Sequence, residues 1–317
     1  MIQLHIEPRR TVTWEVFQRD HPSLSIALDG YVSGPPAFNP VGPHANFDHH
    51  LGVDRLSTRS TCMQVYYAIT LGLFETFQRA GKPTAKIYIN DADPDVCLSV
   101  WLLRHPQSLR DPEILVRLQR LLSTEDAMDS TAGSYPMPRD SADLQQMLWV
   151  FAPYFDQQFK GAIGGLDAGE MCTIIEQVGE RIGAFTRGLS GEVDARVGYR
   201  ELGGGPGWRL VEEESPLARC TLFASGVRAF IAVRELGNDR WTYTVGRMSP
   251  FVPFPLDRLY QIFNEAEGTD ATTGWGGGNT VGGSPRRGGS RLNPKQVEAI
   301  INNTFTPPPP ADESNED

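Results

Sequence analysis

Short apolar runs that end in polar residues recur in the first third of the chain. Residues 25–28, 45–47 and 85–89 each have this pattern, which is typical of buried parallel strands. Two longer stretches, 57–80 and 96–103, carry apolar residues at helical spacing and follow two of these runs. The alternation predicts a doubly wound α/β fold with a parallel sheet, in which functional groups gather at the carboxyl ends of the strands.

The middle of the chain changes to a mostly helical pattern. Residues 113–122, 142–159 and 168–186 all have apolar residues at helical spacing. Because strand-like runs return after this segment, we predict a domain boundary between residues 188 and 200.

Beyond that boundary, a glycine-rich segment over residues 203–207 separates two strand-like runs. Residues 220–233 and 241–245 predict further strands, and residues 294–302 predict a helix. The end of the chain is rich in proline and then acidic, which is typical of disorder. The predicted organisation is an α/β domain with a helical segment over residues 1–195, a smaller mixed α/β domain over 196–306, and a disordered tail over 307–317.

The chain has 317 residues and a formal net charge of −10, from 29 Lys and Arg against 39 Asp and Glu. A protein that coats long nucleic acids would carry a basic surface, so the charge argues against that class. It leaves open a local basic pocket, or acidic residues that hold metal ions. No apolar stretch approaches about 18 residues, and residues 1–10 are charged, so we expect a soluble, cytoplasmic protein. The four cysteines lie far apart without a C-x-x-C pair, and we expect them to be reduced and buried.

The first candidate site is Asp48-His49-His50, which follows a predicted strand. Three of the six histidines, His44, His49 and His50, lie within seven positions. Carboxylate and imidazole groups suit divalent ions such as Mn²⁺, and adjacent ligands at a strand end can reach two ions, or an ion and a phosphate. A structural or accidental origin of the triplet is the alternative.

The second candidate site is the acidic segment with Asp91, Asp93 and Asp95, which follows another predicted strand. Three carboxylates at alternate positions repel one another strongly unless a cation lies between them. The alternative is that Asp93 or Asp95 caps the following helix and the others are solvated. Capping accounts for one of these residues better than for three.

Two further acidic groups carry weaker signals of their own. Asp29 ends a predicted strand, and the following Gly30 allows close backbone approach, although a plain turn is the alternative. Asp126 and Asp129 belong to the segment E-D-A-M-D over residues 125–129, which interrupts a helical run. A surface loop explains that segment equally well.

A glycine-rich loop over residues 274–291 contains Arg286, Arg287 and Arg291. Backbone amides that glycine leaves accessible can bind phosphate oxygens, and arginines supply bidentate partners for them. A flexible linker is the alternative, but predicted structure on both sides of the loop disfavours it.

These motifs together resemble the DHH phosphoesterase superfamily, which includes RecJ-like exonucleases, nanoRNases, cyclic dinucleotide phosphodiesterases and family II pyrophosphatases. N-F-D-H-H (residues 46–50) resembles its signature motif, I-N-D-A-D-P-D (89–95) its D-x-D motif, A-L-D-G (27–30) its single-Asp motif, and the glycine-rich residues 276–283 its DHH-associated C-terminal domain. The family usually has the D-x-D motif first along the chain, whereas here it comes last, as a circular permutation of the α/β domain would produce. Asn279 stands where the family commonly has His.

The resemblance implies a hydrolase that cleaves phosphodiester bonds of short oligonucleotides or dinucleotides, cyclic ones included. A water activated between two divalent ions would attack the phosphorus; the ions would be Mn²⁺, with Mg²⁺ and Co²⁺ as alternatives. The implied metal ligands are Asp29, which would bridge the ions, His49, Asp91, Asp93, Asp95 and Asp129, with Asp126 as the second choice for the last.

The catalytic residues that the resemblance implies are Asp48, His49, His50 and Asp93. Asp48 would orient the neighbouring imidazole, and His50 would face the phosphate. The implied substrate-binding residues are His50, Arg247, Gly277, Gly278, Asn279, Arg286, Arg287 and Arg291. A small-molecule phosphatase or pyrophosphatase, and a nucleotide-binding protein that has lost catalysis, are the alternative functions, and the sequence leaves a homodimer open.

Overall fold

The computed structural model describes residues 1–191, 193, 195–270, 272–285 and 288–304. The tail predicted over residues 307–317 lies outside these described residues. By its internal contacts the chain separates into two compact units. The first comprises residues 1–133 and 139–195, and the second comprises residues 134–138 and the chain from Arg196 onward. The division between residues 195 and 196 falls within the interval 188–200.

The first unit combines strands with helices up to residue 104 and is helical beyond it. Its strands are β1 (Ile2–Ile6), β2 (Ser25–Leu28), β3 (Ala37–Asn39), β4 (His44–Phe47), β5 (Gln78–Arg79), β6 (Lys82–Pro83) and β7 (Ala85–Ile89). Its helices are α1 (Trp14–Asp20), α2 (Thr61–Thr70), α3 (Leu73–Thr76), α4 (Pro94–Arg104), α5 (Pro112–Ser130), α6 (Ala142–Phe159) and α7 (Ala168–Thr186).

Five of these strands form one sheet in the order β1-β7-β2-β4-β3. The pairings of β1 with β7, of β7 with β2 and of β2 with β4 are parallel, and β3 runs antiparallel to β4 at the edge. The carboxyl ends of β7, β2 and β4 therefore lie side by side at one edge of the sheet. These are the three strands that precede the acidic and histidine motifs.

Side chains from the central strands are buried on both faces of this sheet. Ala27 and Tyr88 pack with Phe17 of α1 on one face. Ile26 and Ile87 alternate with them along their strands and are also fully buried, so they face the opposite side. The first unit is thus a mixed α/β layer built on a mostly parallel sheet.

One long helix predicted in this unit is wrong. Residues 57–80 form α2 and α3, separated at Gly72, and then enter the short β5–β6 hairpin. Gly72 has φ of +105°, a left-handed conformation that an α-helix does not continue through. The sequence analysis also missed β1 and α1, whereas α6 and α7 have the predicted bounds.

The second unit contains a six-stranded sheet with three helices among its described residues. Its strands are β8 (Tyr199–Gly205), β9 (Trp208–Glu213), β10 (Ala229–Glu235), β11 (Trp241–Arg247), β12 (Gly276–Gly277) and β13 (Val281–Gly283), in the order β12-β13-β11-β10-β9-β8. Its helices are α8 (Ala218–Ala224), α9 (Leu256–Glu267) and α10 (Pro294–Thr304). Phe263 of α9 and Val297 of α10 share a buried cluster with Val245, and α8 packs through Leu222 against Phe230 in another.

The strand predicted over residues 220–233 is wrong in its first half. That half belongs to α8, and the strand begins only at Ala229. Ser225 and Gly226 divide this segment into two short apolar runs, and runs of this length are too short for periodicity to distinguish a buried strand from a buried helix. Along the described part of the chain, no helix has the length and apolar character needed to cross a membrane.

Candidate metal centre

The turn after β2 brings the Asp29 carboxylate to the edge of the parallel sheet. Asp29 and Gly30 both have positive φ, +48° and +78°, and the amide of Tyr31 closes the turn on the Leu28 carbonyl at 3.2 Å. Asp is among the few non-glycine residues that adopt this conformation readily. The Asp29 amide also donates to the carbonyl of Phe47 at 2.9 Å, which ties the ends of β2 and β4 together.

The segment after β4 presents two histidines in different environments. His49 is fully buried, and its Nε2 lies 2.6 Å from Asp129 Oδ2 and 3.7 Å from Asp29 Oδ1. His50 has a side chain that is 41% exposed, and its Nδ1 lies 3.0 Å from Asp48 Oδ1. The same Asp48 oxygen accepts both backbone amides, from His49 at 2.6 Å and from His50 at 2.9 Å. Asp48 therefore holds the backbone of both histidines and the ring of His50 in place.

Asp95 connects the end of β7 to the start of α2. It lies in the first turn of α4, is 1% exposed, and its Oδ2 and Oδ1 accept the amides of Thr61 and Cys62, each at 2.7 Å. These are the first two amides of α2, whose cap residue Ser60 makes no side-chain cap bond. A carboxylate at a helix N-terminus is stabilised by such donors and by the helix dipole. Asp95 Oδ2 also lies 3.8 Å from His49 Nε2.

The final turns of α5 separate the two acidic residues considered for one metal ligand. Asp129 approaches His49, whereas Asp126 accepts the Ser60 amide at 2.8 Å and Arg59 Nη1 at 2.9 Å. The carboxylate of Asp126 is thus used to hold the chain before α2. Of the two choices, Asp129 is the residue that joins the histidine.

The remaining two residues of the acidic segment have different local roles. Asp93 is the N-cap of α4 and accepts the amide of Val96 at 2.8 Å, as the capping alternative predicted for one residue. Its carboxyl is buried beside that of Asp29. Asp91 accepts the amide of the adjacent Ala92 at 2.6 Å, and it belongs to neither of the ligand groups described next.

Two groups of side chains could each hold a divalent ion. Asp29, His49 and His50 form one group, and His49, Asp95 and Asp129 form the other; within each, the ligand atoms lie within 4.8 Å of one another. His49 is common to both groups, whereas the resemblance implies Asp29 as the shared ligand. Carboxylate oxygens with imidazole nitrogens are a donor set that suits Mn²⁺ and related ions.

Buried polar atoms without a hydrogen-bond partner, within the residues that the structure describes, collect around these two groups. They include Asp48 Oδ2, His49 Nδ1, Arg55 Nε, Asp129 Oδ2 and Ser130 Oγ. The short contact between Asp129 Oδ2 and His49 Nε2 lacks hydrogen-bond geometry. Because native proteins rarely bury unsatisfied polar atoms, the unpaired oxygen atoms of Asp48, Asp129 and Ser130 fit a site that binds a cation, whereas Arg55 Nε is a donor and needs an acceptor.

The carboxyl groups of this site are held in an unusually repulsive setting. Burial raises the pKa of Asp29, Asp95 and Glu125 well above the usual carboxyl value, and repulsion from neighbouring carboxylates, Asp93 and Asp129 among them, adds to this. Burial likewise raises the pKa of Asp93 to about 7. Burial would also raise the pKa of Asp129, but the His49 imidazole lowers it below its usual value. A proton or a cation must offset this buried charge.

His50 has the opposite shift, for a local reason. Its hydrogen bond to Asp48 raises the pKa of the imidazole above its ordinary value, against the effect of burial. The contact with Asp48 therefore favours the protonated form of His50 relative to a free imidazole.

The predicted substrate-binding residues of the second unit surround the β12–β13 hairpin. Gly277 has φ of +155°, and a Cβ there would lie 2.3 Å from Gly282 Cα, so glycine is required at this position. Gly278 donates its amide to the Val281 carbonyl at 2.8 Å in the same turn.

The described arginines near this hairpin contact backbone carbonyls. Arg247 donates to the Asn279 carbonyl at 2.7 Å and to the Val252 carbonyl at 3.0 Å. Arg291 donates through its side chain to the Glu267 carbonyl at 2.6 Å. These contacts stabilise the hairpin and the end of α9. The predicted residues Arg286 and Arg287 lie outside the described residues.

The sequence analysis did not identify three residues that contact the centre. Thr61 Oγ1 donates to Asp29 Oδ1 at 2.9 Å, and Ser60 donates its amide to Asp126. Arg55 Nη2 lies 3.4 Å from both His49 Nε2 and Asp129 Oδ1. Serine and threonine at the start of a predicted helix, and an arginine five positions after the D-H-H triplet, were the available signals.

The described structure therefore defines a class: a mixed α/β protein with a buried Asp and His cluster at the carboxyl ends of parallel strands. No family model matches the chain, and no curated protein sequence matches it.

Proposed function

We propose that this chain is a metal-dependent phosphoesterase that hydrolyses phosphodiester bonds in short oligonucleotides or in linear or cyclic dinucleotides. The observation that carries the proposal is the meeting of Asp29, His49, Asp95 and Asp129, from four separate segments, in one cluster that is buried except at Asp129. The D-x-D, single-Asp and D-H-H motifs follow adjacent strands. A permuted chain order is compatible with one shared site for this reason.

The chain's own donors suit two divalent ions of the Mn²⁺ type, with Mg²⁺ or Co²⁺ as alternatives. One imidazole nitrogen binds one ion, so His49 with Asp95 and Asp129 would hold one ion, and Asp29 with the neighbouring Asp93 would hold the other. Bound ions of this kind lower the pKa of a water and offset negative charge on a phosphate.

In this proposal His50 contacts the phosphate, and Asp48 orients the His50 ring. Asp48 Oδ1 accepts a hydrogen bond from His50 Nδ1, which leaves Nε2 of this partly exposed ring for the substrate. The hydrogen bond to Asp48 raises the pKa of His50, and an N–H at Nε2 of the ring would donate a hydrogen bond to a phosphate oxygen. Asp95 contributes differently, because its amide bonds to Thr61 and Cys62 fix the carboxylate in place.

The test uses the full chain, stripped with EDTA and then titrated with Mn²⁺, Mg²⁺ or Co²⁺. A linear dinucleotide, a cyclic dinucleotide, a longer single strand, pyrophosphate and 3′-phosphoadenosine phosphate are compared under each ion. We expect Mn²⁺-dependent release of nucleoside monophosphate from the dinucleotides. Asp129→Asn should weaken Mn²⁺ binding by about 10- to 100-fold and reduce turnover with it.

Asp143→Asn is the matched control, because Asp143 is an exposed acidic residue that pairs with Arg120 at 2.6 Å. It should leave both Mn²⁺ binding and turnover unchanged. Hydrolysis confined to pyrophosphate or 3′-phosphoadenosine phosphate would instead favour the small-molecule phosphatase. Tight nucleotide binding without turnover under any ion would favour a binding protein.

A further inference from the structure

Arg55 is a cationic side chain at the acidic centre to which the D-H-H resemblance assigns no role. It lies in the segment between β4 and α2, and its Nη2 donates to the backbone carbonyl of Asp129 at 2.9 Å. The same nitrogen lies 3.4 Å from Asp129 Oδ1 and 3.4 Å from His49 Nε2. About a third of the side chain, 32%, is exposed. Arg55 therefore contacts two candidate metal ligands and also reaches solvent.

The donors of this guanidinium are only partly used. Among the described residues, Arg55 Nε is buried and has no hydrogen-bond partner, and the bonds formed by the group all involve Nη2. A guanidinium has five N–H donors in a planar fork. A ligand reaches the group from the exposed part of the side chain, so the unused donors there, rather than the buried Nε, are the ones that an acceptor from a ligand would engage.

An acidic centre needs a local positive charge to admit an anion. The carboxylates of Asp29, Asp93 and Asp95 lie within the cluster, and each repels a phosphate at short range. Arg59, four positions beyond Arg55, pairs with Asp126 at 2.9 Å, outside the cluster. Arg55 is the arginine in position to offset this repulsion beside His49.

We propose that Arg55 binds a non-bridging oxygen of the substrate's reacting phosphate and selects for phosphate esters at this centre. This inference rests on the proposed function for the identity of the site. A purely structural role, in which Arg55 caps the end of α5, accounts for the contacts of Nη2. It leaves the donors on the exposed part of the guanidinium unused.

The experiment measures equilibrium binding of adenosine 5′-monophosphate and of inorganic phosphate to the full chain by calorimetry, with Mn²⁺ saturating. Mn²⁺ affinity itself is measured in a separate titration. Arg55→Ala should weaken binding of both phosphates by about 10- to 100-fold, because a charge-assisted hydrogen bond is lost. Its Mn²⁺ affinity should stay within about threefold of wild type, since the metal ligands themselves remain. With a dinucleotide substrate, KM should rise more than kcat falls.

Arg55→Lys separates the two roles. Lysine restores the charge and a single donor to the Asp129 carbonyl, but not the planar fork. It should restore thermal stability fully and phosphate affinity only in part. Arg59→Ala is the matched control, because Arg59 is 62% exposed and its pair with Asp126 lies outside the cluster; phosphate binding should be unchanged.

Two results would overturn the assignment: unchanged phosphate affinity in Arg55→Ala, or equal losses of phosphate and Mn²⁺ affinity that Arg55→Lys fully restores. The second result would indicate a purely structural role for Arg55. A wild-type chain that binds the monophosphate through Arg55 but hydrolyses no phosphoester would remove the proposed function while supporting the phosphate-binding role of Arg55.

Discussion

Replacement of Asp95 tests how the fold and the candidate centre are joined. Its carboxylate is 1% exposed and accepts the amides of Thr61 and Cys62, each at 2.7 Å. Removal of the acceptor leaves two buried amide donors unpaired, at about 1–3 kcal/mol each, or about 2–6 kcal/mol together. Repulsion from Asp93 and Asp129 offsets part of this. We expect Asp95→Ala to lower the free energy of unfolding by about 2–4 kcal/mol.

The assay is urea unfolding followed by far-UV circular dichroism, in EDTA so that no divalent ion contributes to stability. Asp91→Ala is the matched control from the same acidic segment. Its carboxylate accepts the amide of the adjacent Ala92, and the substitution should change the free energy of unfolding by less than about 1 kcal/mol.

Asp95→Asn gives an intermediate case, because the amide group keeps one acceptor oxygen and presents an N–H₂ group to the other backbone donor. It should fall between wild type and Asp95→Ala. The reasoning is refuted if Asp95→Ala stays within about 1 kcal/mol of wild type in EDTA. It is refuted equally if Asp91→Ala lowers the free energy of unfolding by as much as Asp95→Ala does.

Three further predictions concern other parts of the molecule. Gly277→Ala should destabilise the second unit by about 2–4 kcal/mol in thermal unfolding, because its added Cβ would meet backbone at 2.3 Å; Gly278→Ala, with 3.6 Å of clearance, should be nearly neutral. Trp275→Phe should cost about 1–3 kcal/mol in chemical unfolding, because it removes the 2.5 Å bond from Nε1 to the buried Glu267 carboxylate. Burial lowers the pKa of His21, so the unfolded state binds the proton more tightly. The His21 contribution to stability should be lost as pH falls below about 6.5, and His21→Gln should remove that part of the pH dependence between pH 5 and 8.

The sequence predicts elements well where burial and period agree. Helices α6 and α7 have the predicted bounds because their apolar residues recur at helical spacing over many turns. The division of 57–80 depends on the conformation of Gly72, which periodicity does not report. The first strand, β1, was missed because it lies at a sheet edge and alternates polar with apolar residues over a short span.

The centre was predictable in part because a topological rule governs it. Polar residues at the ends of adjacent parallel strands meet at one edge, and Asp29, His49 and Asp95 do so. The choice between Asp126 and Asp129 depends on partners from a distant segment, since the Ser60 amide takes the first and His49 meets the second. The role of Arg55 depends in the same way on its contact with Asp129, 74 positions further along the chain. A local sequence pattern does not encode such a contact.

The acidity of the chain and a phosphate substrate are compatible only if positive charge is local. A net charge of −10 repels polyanions over distances of about a Debye length, roughly 8–10 Å at physiological salt. A short substrate carries few phosphates outside the centre, so it experiences less of this repulsion than a long strand does. Divalent ions between His49 and its carboxylate neighbours, with Arg55 beside them, would concentrate positive charge where the reacting phosphate binds. The same charge distribution that argues against coating long nucleic acids therefore favours a small phosphorylated substrate at this edge of the sheet.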